Sequence, residues 1–304
     1  MFETVTEHFK EFVETGDTYL FLIPIYASLL IAERVTHHFI FREQKWNNGD
    51  TVANLLITVF NLGLNTVVSH LLPLAAMAYL YSWWSVIELP AGVVGWIAGF
   101  LLYDLAWYVD HRIAHRVGFL WAMHHVHHSS PEYNATVASR GFSLDITWLS
   151  RPTFYLLPIL GITPVHFMII NTVTNIWGIA QHTRVIDRLG WLDKVLATPS
   201  NHRVHHASDE VYIDKNYGEV LIIWDHIFGT YEPEAHEPTY GVTTPIQTNN
   251  PLKIEIAGIL WLLQKLSTAS GATNKMLCLL MPPEWEPSST AVETRKKHQE
   301  STAR

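Results

Sequence analysis

The sequence has one cysteine, Cys278, among its 304 residues. A single thiol cannot form an internal disulfide and cannot build a cluster of thiolates. This excludes zinc fingers, iron–sulfur centres and disulfide scaffolds. Any metal that this chain holds must therefore be bound by nitrogen and oxygen ligands.

Charged residues are also scarce, at 16% of the chain, whereas soluble proteins carry about 25%. The mean hydropathy is +0.11. Basic residues number 20 against 28 acidic ones, which gives a net charge of −8. Without a basic excess the chain lacks the attraction for phosphates that nucleic-acid binding needs, so we expect no nucleic-acid partner.

Three apolar runs stand out in this chain. They cover about Tyr19–Ile40, Thr51–Tyr103 and Pro152–Thr183, and Glu88 is the one formally charged residue between positions 51 and 90. A membrane helix needs about 20 mainly apolar residues. We therefore predict one membrane helix in the first run, two or three in the second, and either one span or a helical hairpin in the third.

Histidine is the residue type with the most informative distribution. Eleven of the 18 histidines lie between positions 111 and 206. Two clusters have the spacing H-x-x-H-H, and residues i, i+3 and i+4 lie on neighbouring parts of a helix surface. His111 and His115 form a further pair four residues apart, and His182 stands alone near the end of the third apolar run. Together these positions give nine candidate ligands, which are His111, His115, His124, His127, His128, His182, His202, His205 and His206.

Clustered imidazoles repel one another when they are protonated, whereas neutral imidazole is the commonest metal ligand in proteins. The clustering therefore predicts metal binding. Nine nitrogens exceed the three or four that one zinc ion accepts, so we expect two metals. The residues alone leave iron, zinc, copper and nickel open. His125 points to a different helical face and is predicted not to bind metal.

Three aspartates lie near these histidines in the sequence: Asp104, Asp110 and Asp225. A carboxylate often orients a metal-bound imidazole through its other ring nitrogen. We predict this outer role for the three aspartates. The alternative for Asp104 and Asp110 is a charge at a helix end that faces lipid headgroups.

The clusters resemble the three histidine boxes of the fatty acid hydroxylase superfamily, also called the sterol desaturase family. The matching segments are 110–115, 121–132 and 201–206, followed by Asp-Lys-Asn-Tyr-Gly at 214–218 and the stretch 223–231. The segments 132–134, 181–183 and 198–206 are most similar to the alkylglycerol monooxygenase branch. The resemblance extends from about Val94 to Tyr231.

This resemblance implies a non-haem di-iron oxidoreductase in which the nine histidines hold two iron ions and O₂ is the co-substrate. The substrate would be a membrane lipid (an alkyl ether lipid, a fatty acyl chain or a sterol), oxidised at a C–H bond by hydroxylation or desaturation. The chain has no flavin or haem motif. A separate electron donor is therefore expected, namely a cytochrome b5, a ferredoxin or a reductase.

Two other functions compete with this interpretation: a zinc-dependent membrane hydrolase and a non-catalytic metal-binding membrane protein. Zinc is redox-inert and could not activate O₂ for attack on a lipid C–H bond. The metal content of the purified protein would separate these alternatives.

The predicted fold class is all-α, a polytopic membrane protein with a cytoplasmic, histidine-rich di-metal cap. Basic residues, among them Arg140 and Arg203, flank the runs and the histidines, and such residues favour the cytoplasmic side of a bacterial inner membrane or of the endoplasmic reticulum. We divide the chain into an N-terminal region with the first membrane helix (1–50), a histidine-box oxygenase domain (51–253) and a C-terminal interfacial or marginal membrane segment with a polar tail (254–304).

Overall fold

The computed structural model describes residues 19–40, 46–64, 71–145 and 147–287. In these ranges the chain forms ten α-helices, and extended pairing is limited to two isolated bridges, so the predicted all-α class is confirmed. The helices are α1 (Tyr19–Ile40), α2 (Asn48–Leu64), α3 (Leu71–Trp84), α4 (Val93–Arg116), α5 (Gly118–His128), α6 (Pro164–Gln181), α7 (Pro199–His205), α8 (Ile223–Phe228), α9 (Pro251–Thr268) and α10 (Gly271–Leu280).

Helix α4 has 24 residues and spans about 36 Å at 1.5 Å per residue. Among the described residues it is the one helix that is long and apolar enough, by length and composition, to cross a membrane. Its first turns expose Val93, Val94 and Ile97, whereas its last turns bury Asp110 and His111. The helix therefore leads from an exposed apolar end into a buried polar site.

The second predicted run, Thr51–Tyr103, folds as most of α2, all of α3 and the start of α4. Helix α2 has 17 residues and α3 has 14, both shorter than the roughly 20 residues of an upright span. Within α2, the Asn54 amide donates to the Thr136 hydroxyl at 2.9 Å. Helix α2 is thus bound to the loop that follows the second histidine box.

The third run, Pro152–Thr183, reverses direction as the hairpin alternative requires. A short 3₁₀ helix at Pro152–Leu156 leads to a turn at Gly161, and α6 returns from Pro164. Gly161 has φ 88°, and a Cβ there would lie 2.4 Å from the Ile87 carbonyl oxygen. Only glycine fits this position, so it allows the chain to turn back toward the histidines.

Aromatic side chains fix α4 against α6 below the histidines. The Tyr103 ring lies 5.0 Å from the Phe154 ring and 5.5 Å from the Phe167 ring, between centroids. Each of these residues is at most 1% exposed, and such ring pairs add about 0.5–1.5 kcal/mol beyond their buried area. This packing sets the relative position of the helix ends that carry His111 and His182.

The predicted interfacial segment near the C-terminus folds as the hairpin α9–α10, which packs on α5. A Cβ at Gly258 of α9 would lie 2.1 Å from the Ala122 carbonyl oxygen. The Gly118 N–H at the start of α5 donates to the Met281 carbonyl at 3.0 Å. The helix that carries the second histidine box is therefore braced from outside by the C-terminal hairpin. The predicted polar tail lies mostly outside the described residues.

Candidate metal centre

All nine predicted histidines come together in two groups, and in each group one ring nitrogen per residue lies within 4.8 Å of the others. Seven of the nine are buried, and His124 and His127 are half-buried. The five-histidine group consists of His111, His115, His124, His128 and His205, and the four-histidine group of His127, His182, His202 and His206.

The second and third boxes each contribute histidines to both groups. In the second box the middle histidine, His127, belongs to the four-histidine group and the outer two belong to the five-histidine group. In the third box the arrangement is reversed, and the middle histidine, His205, joins the five-histidine group. Successive helical residues are rotated by about 100°. Adjacent histidines such as His127 and His128 therefore face different sites, while residues four apart face the same one.

The nitrogen atoms have the spacing of metal ligands. In the five-histidine group the His128 Nε2 atom lies 3.2 Å from His115 Nε2 and 3.0 Å from His124 Nε2. In the other group His182 Nε2 lies 3.1 Å from His202 Nε2. Two nitrogens that each lie about 2.1 Å from one metal are about 3.0 Å apart at a right angle and about 3.4 Å apart in a tetrahedron. The donor set would therefore fit one metal in each group, held by several imidazole nitrogens.

The imidazoles outside α4 favour the neutral form that binds metal. Burial, and next the charge of neighbouring imidazoles, holds the pKa of His128 and of His206 well below its usual value. Burial lowers the pKa of His182 to about 4. Rings that stay neutral near neutral pH keep a free nitrogen lone pair, which is the condition for metal binding.

Backbone carbonyls orient several of the rings from behind, through Nδ1. The His111 Nδ1 atom lies 2.9 Å from the Tyr217 carbonyl oxygen, and the His205 Nδ1 atom lies 2.9 Å from the Lys215 carbonyl oxygen. A proton held on Nδ1 by a carbonyl leaves Nε2 free for a metal. Equivalent contacts join His127 to the Arg140 carbonyl and His182 to the Gly178 carbonyl.

The backbone conformation of the Asp-Lys-Asn-Tyr-Gly segment places its carbonyl groups beside the histidines. Asp214 and Asn216 have φ values of 61° and 55°, in the left-handed region that Asp and Asn tolerate better than most residues. With this backbone, the carbonyls of Lys215 and Tyr217 both reach histidines. The Asp214 carboxylate also lies 3.5 Å from His115 Nδ1. The sequence identified this segment only as part of the family resemblance and gave it no structural role.

Of the three predicted aspartates, Asp225 holds this loop and Asp104 binds the residues that follow it. Asp225 accepts hydrogen bonds from the N–H groups of Tyr217 and Gly218, each at 2.8 Å. Asp104 accepts the Val220 N–H at 3.0 Å and the Trp224 indole N–H at 2.8 Å. Asp225 thus supports the Tyr217 carbonyl that contacts His111, whereas Asp104 fixes the next part of the chain.

Asp110 lies closer to the space beside the histidines. Its Oδ1 atom accepts the Thr153 N–H at 3.0 Å, and its Oδ2 atom is buried without a partner among the described residues. Its side chain lines the cavity next to both groups.

A buried arginine fixes each of the two helices, α5 and α7, that carry the second and third histidine boxes. Arg140, which is 1% exposed, donates to the Asp50 carboxylate at 2.7 Å, to the Val126 carbonyl at 3.0 Å and to the Ser129 hydroxyl at 2.7 Å. Its fork thereby joins α2 to the end of α5, which carries the second box. Charge-assisted bonds of this kind are among the stronger ones in proteins.

Arg203 has the same role in the third box. Its guanidinium donates to both oxygens of Glu234, at 2.8 and 2.7 Å. The sequence used Arg140 and Arg203 only as flanking charges that favour the cytoplasmic side, and the structure buries both of them. Each is buried because a carboxylate distant in sequence, Asp50 or Glu234, neutralises it.

His125 lies outside both groups, as its different helical face predicted. Its ring packs on Trp121 with 5.7 Å between centroids, and its Nδ1 atom has no partner among the described residues. It is 8% exposed. Its environment is that of a packing residue on the α9 side of α5.

A cavity of about 470 Å³ adjoins both groups. His111 and His124 of one group and His127 and His182 of the other line its wall. At other points the wall comes from α1 and α2. Apolar residues of this wall are Ile23, Leu62, Met123, Phe142 and Ile179. Both groups therefore face one cavity of the size that small-molecule sites usually have.

The sequence matches known proteins over the region that carries these groups. The family model "Fatty acid hydroxylase" matches residues 96–230. Alkylglycerol monooxygenase of Homo sapiens is 32% identical over 92% of this chain and 62% of its own length, and that of Danio rerio is 36% identical over 77% and 53%. An ornithine lipid hydroxylase of Rhizobium tropici is 32% identical over 48% of this chain and 45% of its own length.

The chain spans about three fifths of the human relative's length. No solved structure matches it. The matched region and its histidine boxes agree with the resemblance drawn from the sequence, which is thereby confirmed. Residues 96–230, which carry all nine histidines, therefore form a fatty acid hydroxylase domain.

Proposed function

We propose that this protein is a di-iron, O₂-dependent oxygenase that hydroxylates, or alternatively desaturates, a C–H bond of a membrane lipid. The observation that carries the proposal is the pair of all-imidazole groups built on two shared helices and facing one cavity. A C–H bond of a lipid chain offers no group that an acid or a base could activate. An oxidant formed from O₂ at a redox-active metal pair is therefore needed.

When bound, iron would supply the redox chemistry that activates O₂. The five histidines and the four histidines would each hold one ion through ring nitrogens. The carbonyls of Lys215 and Tyr217 keep the protons of two rings on Nδ1. The hydrogen bonds of Arg140 and Arg203 hold α5 and α7, the two helices that carry histidines of both groups. They thereby fix the distance between the two sites.

The cavity and the relatives both support the proposed substrate class. Apolar residues such as Leu62, Met123 and Ile179 suit an alkyl chain. The relatives are named as an alkylglycerol monooxygenase, an ornithine lipid hydroxylase and a sterol desaturase. For this chain we propose a lipid with an alkyl ether chain, a fatty acyl chain or a sterol skeleton.

The proposed location is an integral membrane position with the histidines on the cytoplasmic face. Helix α4 runs from an exposed apolar end to the five-histidine group. A lipid could then reach the cavity from the bilayer while electrons arrive from water. The electron donor is proposed to be a separate protein, such as a cytochrome b5, a ferredoxin or a reductase.

Metal and lipid analysis test this function. The protein, purified in detergent, is expected to contain about two irons per chain and to consume O₂ when given reductant and lipid. Lipids from cells with and without the gene are compared by mass spectrometry for a gain of oxygen or a loss of two hydrogens. His206→Ala is the inactive control. Stoichiometric zinc with no O₂ consumption would favour the hydrolase or the non-catalytic metal protein instead.

A further inference from the structure

The two metal groups differ on the side that faces the cavity. Helix α4 gives the five-histidine group two imidazoles one turn apart, His111 and His115. Helix α6 leads to a single imidazole, His182, in the four-histidine group. The residue one turn before His182 is Gly178, which has no side chain. The four-histidine group thus lacks the imidazole that would correspond to His111.

A carboxyl group occupies the space left by that missing side chain. A Cβ at Gly178 would lie 2.7 Å from Glu219 Oε1 and 3.5 Å from Glu219 Cδ. Both residues line the cavity together with His182 and His202. Glycine at position 178 is therefore what lets the Glu219 carboxyl lie against α6 beside the four-histidine group.

Glu219 is held in this place from two directions. Its carbonyl accepts the Gln181 side-chain amide at 2.6 Å, and the next residue, Val220, is bound to Asp104 through its N–H. The residue is 4% exposed. Burial raises the pKa of Glu219 to about 8, while Arg151 opposes the rise. The carboxyl group is thus a fixed acid beside the cavity.

We propose that Glu219 carries a proton for the reaction at the four-histidine site, from the side of that site that lacks a fifth imidazole. The inference rests on the proposed oxygenase function. Hydroxylation converts RH, O₂, two electrons and two protons into ROH and water: a C–H bond breaks, a C–O bond forms, and the second oxygen atom leaves as water. The separate redox protein supplies the electrons. Glu219 gives one of the two protons to the oxygen that becomes water and is reprotonated from solvent.

The test uses Glu219→Gln, which keeps the size and polarity of the side chain but cannot give up a proton in this way. The variant is expected to bind the same two metals, and its cobalt-substituted form is expected to keep the wild-type visible spectrum. The turnover number is expected to fall at least about 100-fold, the lower end of what general acid–base groups contribute. Hydrogen peroxide released per O₂ consumed is expected to rise.

Glu255→Gln is the matched control, because Glu255 is also buried, at 7% exposure, and accepts hydrogen bonds from Ser143 outside the two groups. It is expected to keep wild-type coupling of O₂ to product. Gly178→Ala is a second, independent variant. Its new methyl group would displace the carboxyl and should reproduce part of the peroxide release.

Wild-type coupling in both Glu219→Gln and Gly178→Ala would overturn the proposal. Loss of one metal or an altered cobalt spectrum in Glu219→Gln would overturn it too, because Glu219 would then be a ligand. Failure of the oxygenase function itself is recognised separately, since the wild-type protein would then form no oxidised lipid in the same assay.

Discussion

The five-histidine and four-histidine groups use the same helices in opposite ways. Each H-x-x-H-H box gives two imidazoles to one group and one to the other. The remaining difference comes from α4 and α6: α4 carries a pair of histidines near its end, whereas α6 has Gly178 in its last turn and is followed by the single His182. The comparison teaches that a nearly symmetric pair of boxes can produce two histidine groups of unequal size.

Replacing the middle histidine of each box is the strongest test of this crossed arrangement. We expect His127→Ala to remove metal from the four-histidine group and His205→Ala to remove it from the five-histidine group. Activity should fall by more than about 100-fold, since even the outer partners of ligands cost about 10- to 100-fold. Iron content and Mössbauer spectra, measured against His202→Ala and His124→Ala, report which site is lost.

The crossed assignment would be wrong if His127→Ala gave the spectrum of His124→Ala. In that case the second box would act as one unit, and the two groups would not share α5.

Substitution of the two buried arginines, Arg140 and Arg203, tests the same arrangement with a smaller expected effect. Arg140→Lys keeps the charge but loses the planar fork that joins Asp50, Val126 and Ser129. We expect metal affinity to fall about 10- to 100-fold, as for other outer partners, at both groups together because α5 serves both. Titration of the metal-free protein with Co²⁺ measures this. Arg203→Lys is the matched variant at α7, and loss at only one group in either variant would contradict the shared-helix account.

Asp104→Asn should affect rate more than metal content. Its carboxylate holds the backbone of Val220 and the Trp224 side chain, so its effect on the rings is indirect. We expect about 10-fold lower activity, the lower end for outer partners, with two metals retained. Wild-type turnover would mean that the hydrogen bonds of the buried Asp104 serve packing alone.

His125→Ala should have the smallest effect. The ring lies outside both groups and packs beside Trp121, so both metals should remain and activity should stay within about threefold of wild type, below the cost of an outer partner. Metal content and turnover are compared with His127→Ala, two positions away. Equal inactivity of the two variants, with equal expression and folding, would overturn the division of helical faces.

Local spacing was sufficient to select eight of the nine histidines and to separate His125 from them, because a helix repeats its faces every few residues. His182 was selected instead by its place at the end of an uncharged run. Spacing did not reveal that His127 and His128 belong to different groups. Their divergence by about 100° is implicit in the helix, but its meaning depends on what packs on each side. The turn that brings His182 back to the other histidines was predicted only as one of two alternatives.

The long-range polar contacts could not be found from spacing. Arg140 and Asp50 are 90 residues apart, and Arg203 and Glu234 are 31 apart. A buried arginine and an exposed one look alike in a sequence until the carboxylate that neutralises it is placed. Glu219 carried no local signal either, since its role depends on the absence of a side chain at Gly178.

The C-terminal hairpin limits where this histidine-rich unit can be truncated. The family match ends at residue 230, yet Gly258 lies against the backbone of Ala122 and Met281 accepts the Gly118 N–H. A fragment that stopped at residue 230 would uncover one side of α5, which carries histidines of both groups. The smallest autonomous piece of this protein therefore extends at least to Met281, and a domain boundary drawn from sequence similarity alone would separate these histidines from their support.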